Sequence, residues 1–262
     1  MGPRPELIVQ PDANRLAADV ALRTLSSLAQ AQQQRGRAAL ALTAGSIMEA
    51  VWTAIADAPA RDSVDWARVD VFWADERFVP FGSADRNDTA ANRILFDRPP
   101  FQGVRQFAMP ASDGPQPNLD EAAAYYAGQL YGARRADDPD ELPNFDVLLL
   151  GLGPDGHCAS LFPEHPGTYE DSGPVTAVRN SPKPPPNRIS LTFSGLDAAN
   201  EIWFVASGSG KAEAVALAHS GAGRVQVPSA GPKGRFRTLW LLDRDAAAKL
   251  PKHPDGGRPT LL

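Results

Sequence analysis

Asp155-Gly156-His157 follows the largely apolar run 145–150 across the short turn Gly151-Leu152-Gly153-Pro154, and it is the stretch of this chain best suited to proton transfer. A histidine titrates near neutrality. A carboxylate two residues away can fix its tautomer and raise its basicity, as proton transfer to or from a substrate requires. A loop histidine taken alone is as readily idle, so the reading leans on what the other loops carry.

Lys211 follows Gly208-Ser209-Gly210 and resembles the end of a nucleotide-binding P-loop. The first glycine of that motif would fall at Val205 and its magnesium-binding hydroxyl at Ala212, so the motif fails. What remains is a lysine at a helix start after a buried strand, able to hold one phosphate, or else a solvated surface lysine. Thr43-Ala44-Gly45-Ser46 is a second strand-to-helix turn, where free N–H groups could cradle an anion or Ser46 could simply cap a helix. Asp75-Glu76-Arg77, Asp85-Arg86-Asn87 and Asn92 group carboxylates, amides and guanidinium groups. Such a set suits a polyhydroxylated anionic ligand, although a solvated loop would be equally polar.

Gly151-Leu152-Gly153-Pro154-Asp155-Gly156 matches a dinucleotide fingerprint but is read as a decoy, because Pro163, Pro166 and Gly167 stop the helix that the fingerprint must open. A metal site is not expected: His157 and His165 form no ligand pattern and paired cysteines are absent. Cys158 receives no role.

The elements that must position these groups follow from the apolar runs. Strands are expected at 7–9, 38–43, 69–73, 145–150, 188–193, 202–207 and 238–242. Helices are expected after Asp12 or Asn14 up to Gly36, then at 47–58, 119–134, 211–219 and 246–250. Continuous apolar strands alternating with helices predict an α/β fold with a mainly parallel sheet covered on both faces. Ligands of such sheets bind beyond the carboxyl ends of the strands, which selects loops 43–46, 74–92, 151–167, 179–188 and 207–211. Residues 1–250 are expected to form one domain, 99–117 a surface connection, and 251–262 a flexible tail.

Composition narrows the function classes. Twenty-six basic against 31 acidic residues leave a formal charge of -5, which argues against a nucleic-acid binder. A single cysteine excludes an intrachain disulfide. With no membrane-length apolar run and no secretion signal at the amino end, the expected location is cytoplasmic.

Taken together, Thr43 to Ser46, Phe72-Trp73-Ala74-Asp75-Glu76-Arg77-Phe78-Val79-Pro80, Asp85-Arg86-Asn87, the run 145–157 with Ala159-Ser160-Leu161-Phe162-Pro163, Ser181-Pro182-Lys183-Pro184-Pro185-Pro186 with Arg188-Ile189, and Gly210-Lys211-Ala212 resemble the 6-phosphogluconolactonases. Ala44, Arg86 and Cys158 depart from the residues common there. The resemblance implies a modified Rossmann-like fold shared with glucosamine-6-phosphate deaminases and ribose-5-phosphate isomerases. It further implies hydrolysis of 6-phospho-D-glucono-1,5-lactone in the oxidative pentose phosphate pathway, without metal or organic cofactor. On that pattern His157 is the base and Asp155 its orienting partner. Arg77, Arg188 and Lys183 are charge donors, Gly45, Ser46 and Lys211 hold phosphate, and Asp75 and Asn87 face sugar hydroxyls. The competing readings are an amino-sugar-phosphate deaminase or isomerase and a non-catalytic sugar-phosphate sensor. No helix-turn-helix segment accompanies the chain to support the sensor.

Overall fold

The computed structural model describes residues 5–251. Strand β1 (Glu6–Gln10) leads into α1 (Ala13–Arg35), where Asp12 accepts the Arg15 N–H at 2.9 Å and so caps the first turn. There follow β2 (Ala38–Leu42), α2 (Ser46–Asp57) and β3 (Val69–Trp73), then β4 (Asp75–Arg77), α3 (Asn87–Ala91) and β5 (Arg105–Gln106). Next are α4 (Leu119–Ala133), β6 (Phe145–Gly151), α5 (Pro166–Tyr169), β7 (Val175–Val178) and β8 (Arg188–Leu191). Finally come α6 (Phe193–Leu196), β9 (Ala199–Ala206), α7 (Ala212–Ala218) and β10 (Arg237–Asp243).

Seven strands form one sheet in the order β1-β10-β9-β6-β2-β3-β5, and every pairing in it is parallel. All residues of β2 and β3 are buried; β2 reads as an unbroken apolar run, and β3 is broken only by Asp70, whose carboxylate is paired with Arg37, Arg105 and Arg135. After β2 the chain builds outward through β3 and β5. It then returns to the other side of β2 and builds through β6, β9 and β10. The order thus reverses between β2 and β6, and the crevice above their carboxyl ends is where such a sheet binds ligands. The Thr43 hydroxyl stitches this point, donating to the Leu149 carbonyl at 3.2 Å and accepting the Gly151 N–H at 2.9 Å.

A second, antiparallel sheet, β4-β8-β7, stands over that end. It alters several expectations. The segment 188–193 forms β8 only as far as Leu191, because Thr192 caps α6 through its hydroxyl, and it pairs with β4 and β7 in this smaller sheet, outside the main one. The stretch 74–92, expected as a loop, contains β4 and α3. Residues 246–250 make turns instead of a helix, with Ala247 N–H bonded to Asp243 O and Leu250 N–H to Ala247 O. The connection 99–117 carries the edge strand β5 and buries Phe101 and Met109. The tail expected at 251–262 lies, apart from Pro251, outside the described residues. No helix among the described residues is long and apolar enough to cross a membrane.

The end of β3 is fixed by a buried tyrosine of α4. Tyr126 Oη accepts the Trp73 N–H at 2.9 Å and donates to the Trp73 carbonyl at 3.0 Å, just before the chain turns into β4. Tyr126→Phe strands both backbone groups in the interior, so it is expected to lower stability by about 1–3 kcal/mol. Urea denaturation should show a lower midpoint at unchanged slope. An unchanged midpoint contradicts the role.

Candidate active site

A cavity of about 230 Å³ opens over the carboxyl ends of β2, β6 and β9 and is walled on one side by β4 and β8. All five loops selected from the strand ends reach it. His157, Arg77, Gly45, Ser46, Asp75, Asn87, Lys183, Arg188 and Lys211 line it, and Asp155 stands behind His157.

The turn after β6 is closed by its own backbone: Gly156 N–H bonds to Gly153 O at 3.0 Å and Gly153 N–H to His157 O at 2.9 Å. It opens no helix, so the glycine pattern serves something other than a dinucleotide. That purpose is clearance. A Cβ at Gly153 would stand 2.0 Å from His157 Nδ1 and 2.4 Å from Asp155 Oδ1, so only glycine leaves room for the two side chains to meet. They meet at 2.5 Å, Nδ1 to Oδ1.

Lys183 Nζ donates to the same carboxylate oxygen at 3.3 Å. Burial pushes the Asp155 carboxyl up, but the hydrogen bond and charge of His157 and the ammonium of Lys183 outweigh it and hold the group well below the usual carboxylate range. An ionised Asp155 can only accept, so Nδ1 carries a proton in either charge state of the ring, and in the neutral ring Nε2 is the free acceptor. Lys183 Nζ also lies 3.2 Å from Nδ1, but a protonated Nδ1 offers it no lone pair, which leaves Asp155 as its partner. The His157 ring packs against Phe162 at a centroid distance of 4.6 Å and is 17% exposed. The imidazole is therefore oriented yet reachable.

Across the cavity, α2 begins at Gly45, whose φ of 139° is open to glycine, and no side chain caps its first turn. The unsatisfied N–H groups there, with the helix dipole, favour an anion. Lys211 approaches from the turn after β9. Its ammonium donates to the Leu152 carbonyl at 2.6 Å, keeping further donors for a ligand. Burial, with Lys183, lowers the Lys211 ammonium from its usual range, while Asp155 pulls the other way. The turn that presents Lys211 is held by Asp243 at the end of β10. This carboxylate accepts from Ser207 Oγ at 2.5 Å and from the Gly208 N–H at 3.0 Å.

On the β4 wall, Asp75 and Arg188 are tied into the protein. Asp75 Oδ2 accepts from Ser160 Oγ at 2.7 Å, and Asn87 Nδ2 donates to the Asp75 carbonyl at 2.9 Å. Arg188 donates to the carbonyls of Lys183 at 3.0 Å, Pro184 at 3.1 Å and Pro185 at 3.2 Å, so it shapes the loop that delivers Lys183. Arg77 donates to the Asp85 carbonyl at 2.6 Å. His165 bonds through both ring nitrogens to backbone, at Arg179 O and the Gly167 N–H. Burial, reinforced by Asp75 and Asp197, pushes the Cys158 thiol up and leaves it inert.

Thr43, Ser160, Asp243 and the segment 225–229 were not among the residues expected from sequence to organise the site. Ser229 N–H bonds to Gly156 O at 3.0 Å and Glu164 N–H to Val225 O at 2.9 Å, so the segment braces the loop carrying His157 from behind. Thr43 and Ser160 lie inside the recognised motifs, whereas Asp243 and 225–229 offer no local signal.

Gly153→Ala is expected to displace His157 or Asp155 and lower kcat on the order of 100-fold, the scale of a catalytic group misplaced by about an ångström. The fold should persist, since the clashing atoms are side-chain ends. Full activity in a folded Gly153→Ala protein contradicts the clearance argument.

Comparison with known proteins agrees with this geometry. The family described as glucosamine-6-phosphate isomerases/6-phosphogluconolactonase matches residues 11–240. The chain is 49% identical to a 6-phosphogluconolactonase of Streptomyces coelicolor over 96% of its length and 97% of the relative's. It is 44% identical to that of Mycobacterium tuberculosis over 92% of its length and 96% of the relative's. Among solved structures, 6-phosphogluconolactonase from Trypanosoma brucei superposes with a TM-score of 0.80 at 25% identity, covering 95% of this chain and 99% of that one. A monomeric glucosamine-6-phosphate deaminase shares the fold, with a TM-score of 0.72 at 17% identity over 93% of this chain and 99% of that one. The chain belongs to the 6-phosphogluconolactonase family, within the wider group that includes the glucosamine-6-phosphate isomerases.

Proposed function

We propose that this cavity hydrolyses 6-phospho-D-glucono-1,5-lactone to 6-phosphogluconate. The observation that carries the reading is the Asp155–His157 pair at 2.5 Å, set in the same cavity as the uncapped start of α2 and Lys211. A phosphate at that helix start, held by Gly45, Ser46 and Lys211, presents the lactone ring to His157. Asp75 and Asn87 line the ring's side of the cavity.

His157 Nε2 takes a proton from water as the hydroxide forms its bond to the lactone carbonyl carbon. The carbonyl π pair moves onto oxygen, and Arg77, Lys183 and Arg188 supply positive charge near it. When that oxygen reforms its double bond, the ester bond to the ring oxygen breaks. The imidazolium returns its proton to the departing oxygen. Water is thereby divided between the new carboxyl group and the new hydroxyl. The reaction serves the oxidative branch of pentose phosphate metabolism in this reading, and the same cavity acting as an amino-sugar-phosphate deaminase is the competing one.

Freshly generated 6-phosphogluconolactone mixed with purified protein should release acid faster than its spontaneous hydrolysis, while glucosamine 6-phosphate should release no ammonia. His157→Ala should lose about 10²- to 10⁴-fold in turnover, the usual contribution of a general base. A folded His157→Ala protein with near-normal turnover refutes the mechanism, and ammonia release supports the deaminase.

A further inference from the structure

Successive side chains of a strand point to opposite faces, so β4 turns Asp75 and Arg77 toward the cavity and Glu76 away from it. Glu76 is fully buried. A buried carboxylate is costly unless donors surround it. Here the donors are backbone N–H groups: Oε1 accepts from Arg77 and from Asn87, each at 2.7 Å, and Oε2 accepts from Asp88 at 2.9 Å. Asn87 and Asp88 open α3, whose cap position is Arg86 and provides no side-chain acceptor. The acceptor normally supplied by a capping Ser, Thr or Asp therefore arrives from a different element.

Arg86 is buried alongside. It forks onto Asp88 at 2.9 and 2.6 Å, donates to the Met109 carbonyl at 2.8 Å and lies 3.8 Å from Glu76 Oε2. Burial, reinforced by Asp88, raises the Glu76 carboxyl to about 8 against the pull of Arg86 and the backbone donors; the three N–H groups aimed at its two oxygens call for the acceptor-only carboxylate. An apolar contact would join two short elements at lower cost than three buried charges. What the carboxylate adds is direction, because its two oxygens fix β4 and the first turn of α3 in one relative position.

We propose that Glu76 is a positioning residue that aims Arg77 and Asn87 into the cavity by capping α3 from β4. This rests on the proposed function for the role of that wall. The phosphate cradle stands on other elements, after β2 and β9, and shares no hydrogen bond with Glu76.

Glu76→Gln is the test. A glutamine offers one acceptor oxygen in place of two, so in either orientation its amide N–H faces a backbone N–H. The expected result is a fall of up to about 100-fold in kcat/KM for the lactone, the cost of a small misplacement. Inhibition by inorganic phosphate should be unchanged. The loss should be largely absent when the change is made on a background that already carries both Arg77→Ala and Asn87→Ala, because coupled residues are non-additive. Unchanged kcat/KM overturns the proposal. So does a loss that adds in full to that of the combined Arg77→Ala and Asn87→Ala changes, or one that weakens phosphate by the same factor. Amide hydrogen exchange on the unaltered protein gives a reading independent of the variant's folding and of activity. Protected Asn87 and Asp88 amides are expected, and rapid exchange at both overturns the proposal. Absence of lactone hydrolysis in the unaltered protein would instead count against the proposed function, with the exchange result still deciding the capping.

Discussion

The contact between Asp155 and His157 depends on an empty volume. Because position 153 has no Cβ, the carboxylate and the imidazole can close to 2.5 Å across their own turn. Most of the surrounding organisation serves this contact. Lys183 balances the carboxylate, Arg188 shapes the loop that brings Lys183, Phe162 limits the ring, and the segment 225–229 supports the turn from behind. A two-residue spacing is common in loops. What makes this one chemically directed is that steric clearance and an ionised acceptor together choose one tautomer.

The sheet places that tautomer usefully. The reversal of strand order between β2 and β6 opens a crevice at one edge of which the α2 start lies, with His157 at the other. Lys211 bridges toward the His157 side by its bond to the Leu152 carbonyl. In the proposed reading, the strands themselves set the separation between an anion at the α2 terminus and a carbonyl at His157, and rigid elements hold such separations better than loops do. The small antiparallel sheet supplies the remaining wall.

The long buried strands were legible because burial on both faces demands nearly continuous apolar runs, as in 38–42 and, Asp146 apart, in 145–150. The loops at their ends were legible through the same rule, and so was the decoy nature of Gly151 to Gly156. The second sheet was not. β4 is three residues of charged sequence, Asp75-Glu76-Arg77, and β7 has four residues of half-buried alternation, so neither gives a periodic signal long enough to separate it from loop. The alternating segment 188–193 was recognised as a strand, yet nothing local says which sheet it joins. Glu76 and Asp243 are carboxylates whose partners lie on other elements, and such long-range capping leaves no mark in local spacing.

The central claim is the tautomer of His157, and nitrogen NMR of imidazole-labelled protein at neutral pH reads it directly. The His157 resonances can be assigned by their disappearance in His157→Ala. A protonated Nδ1 with an unprotonated Nε2 is the predicted result, since only that form pairs with ionised Asp155 and leaves a lone pair facing the cavity. A proton on Nε2 with Nδ1 bare would contradict the account.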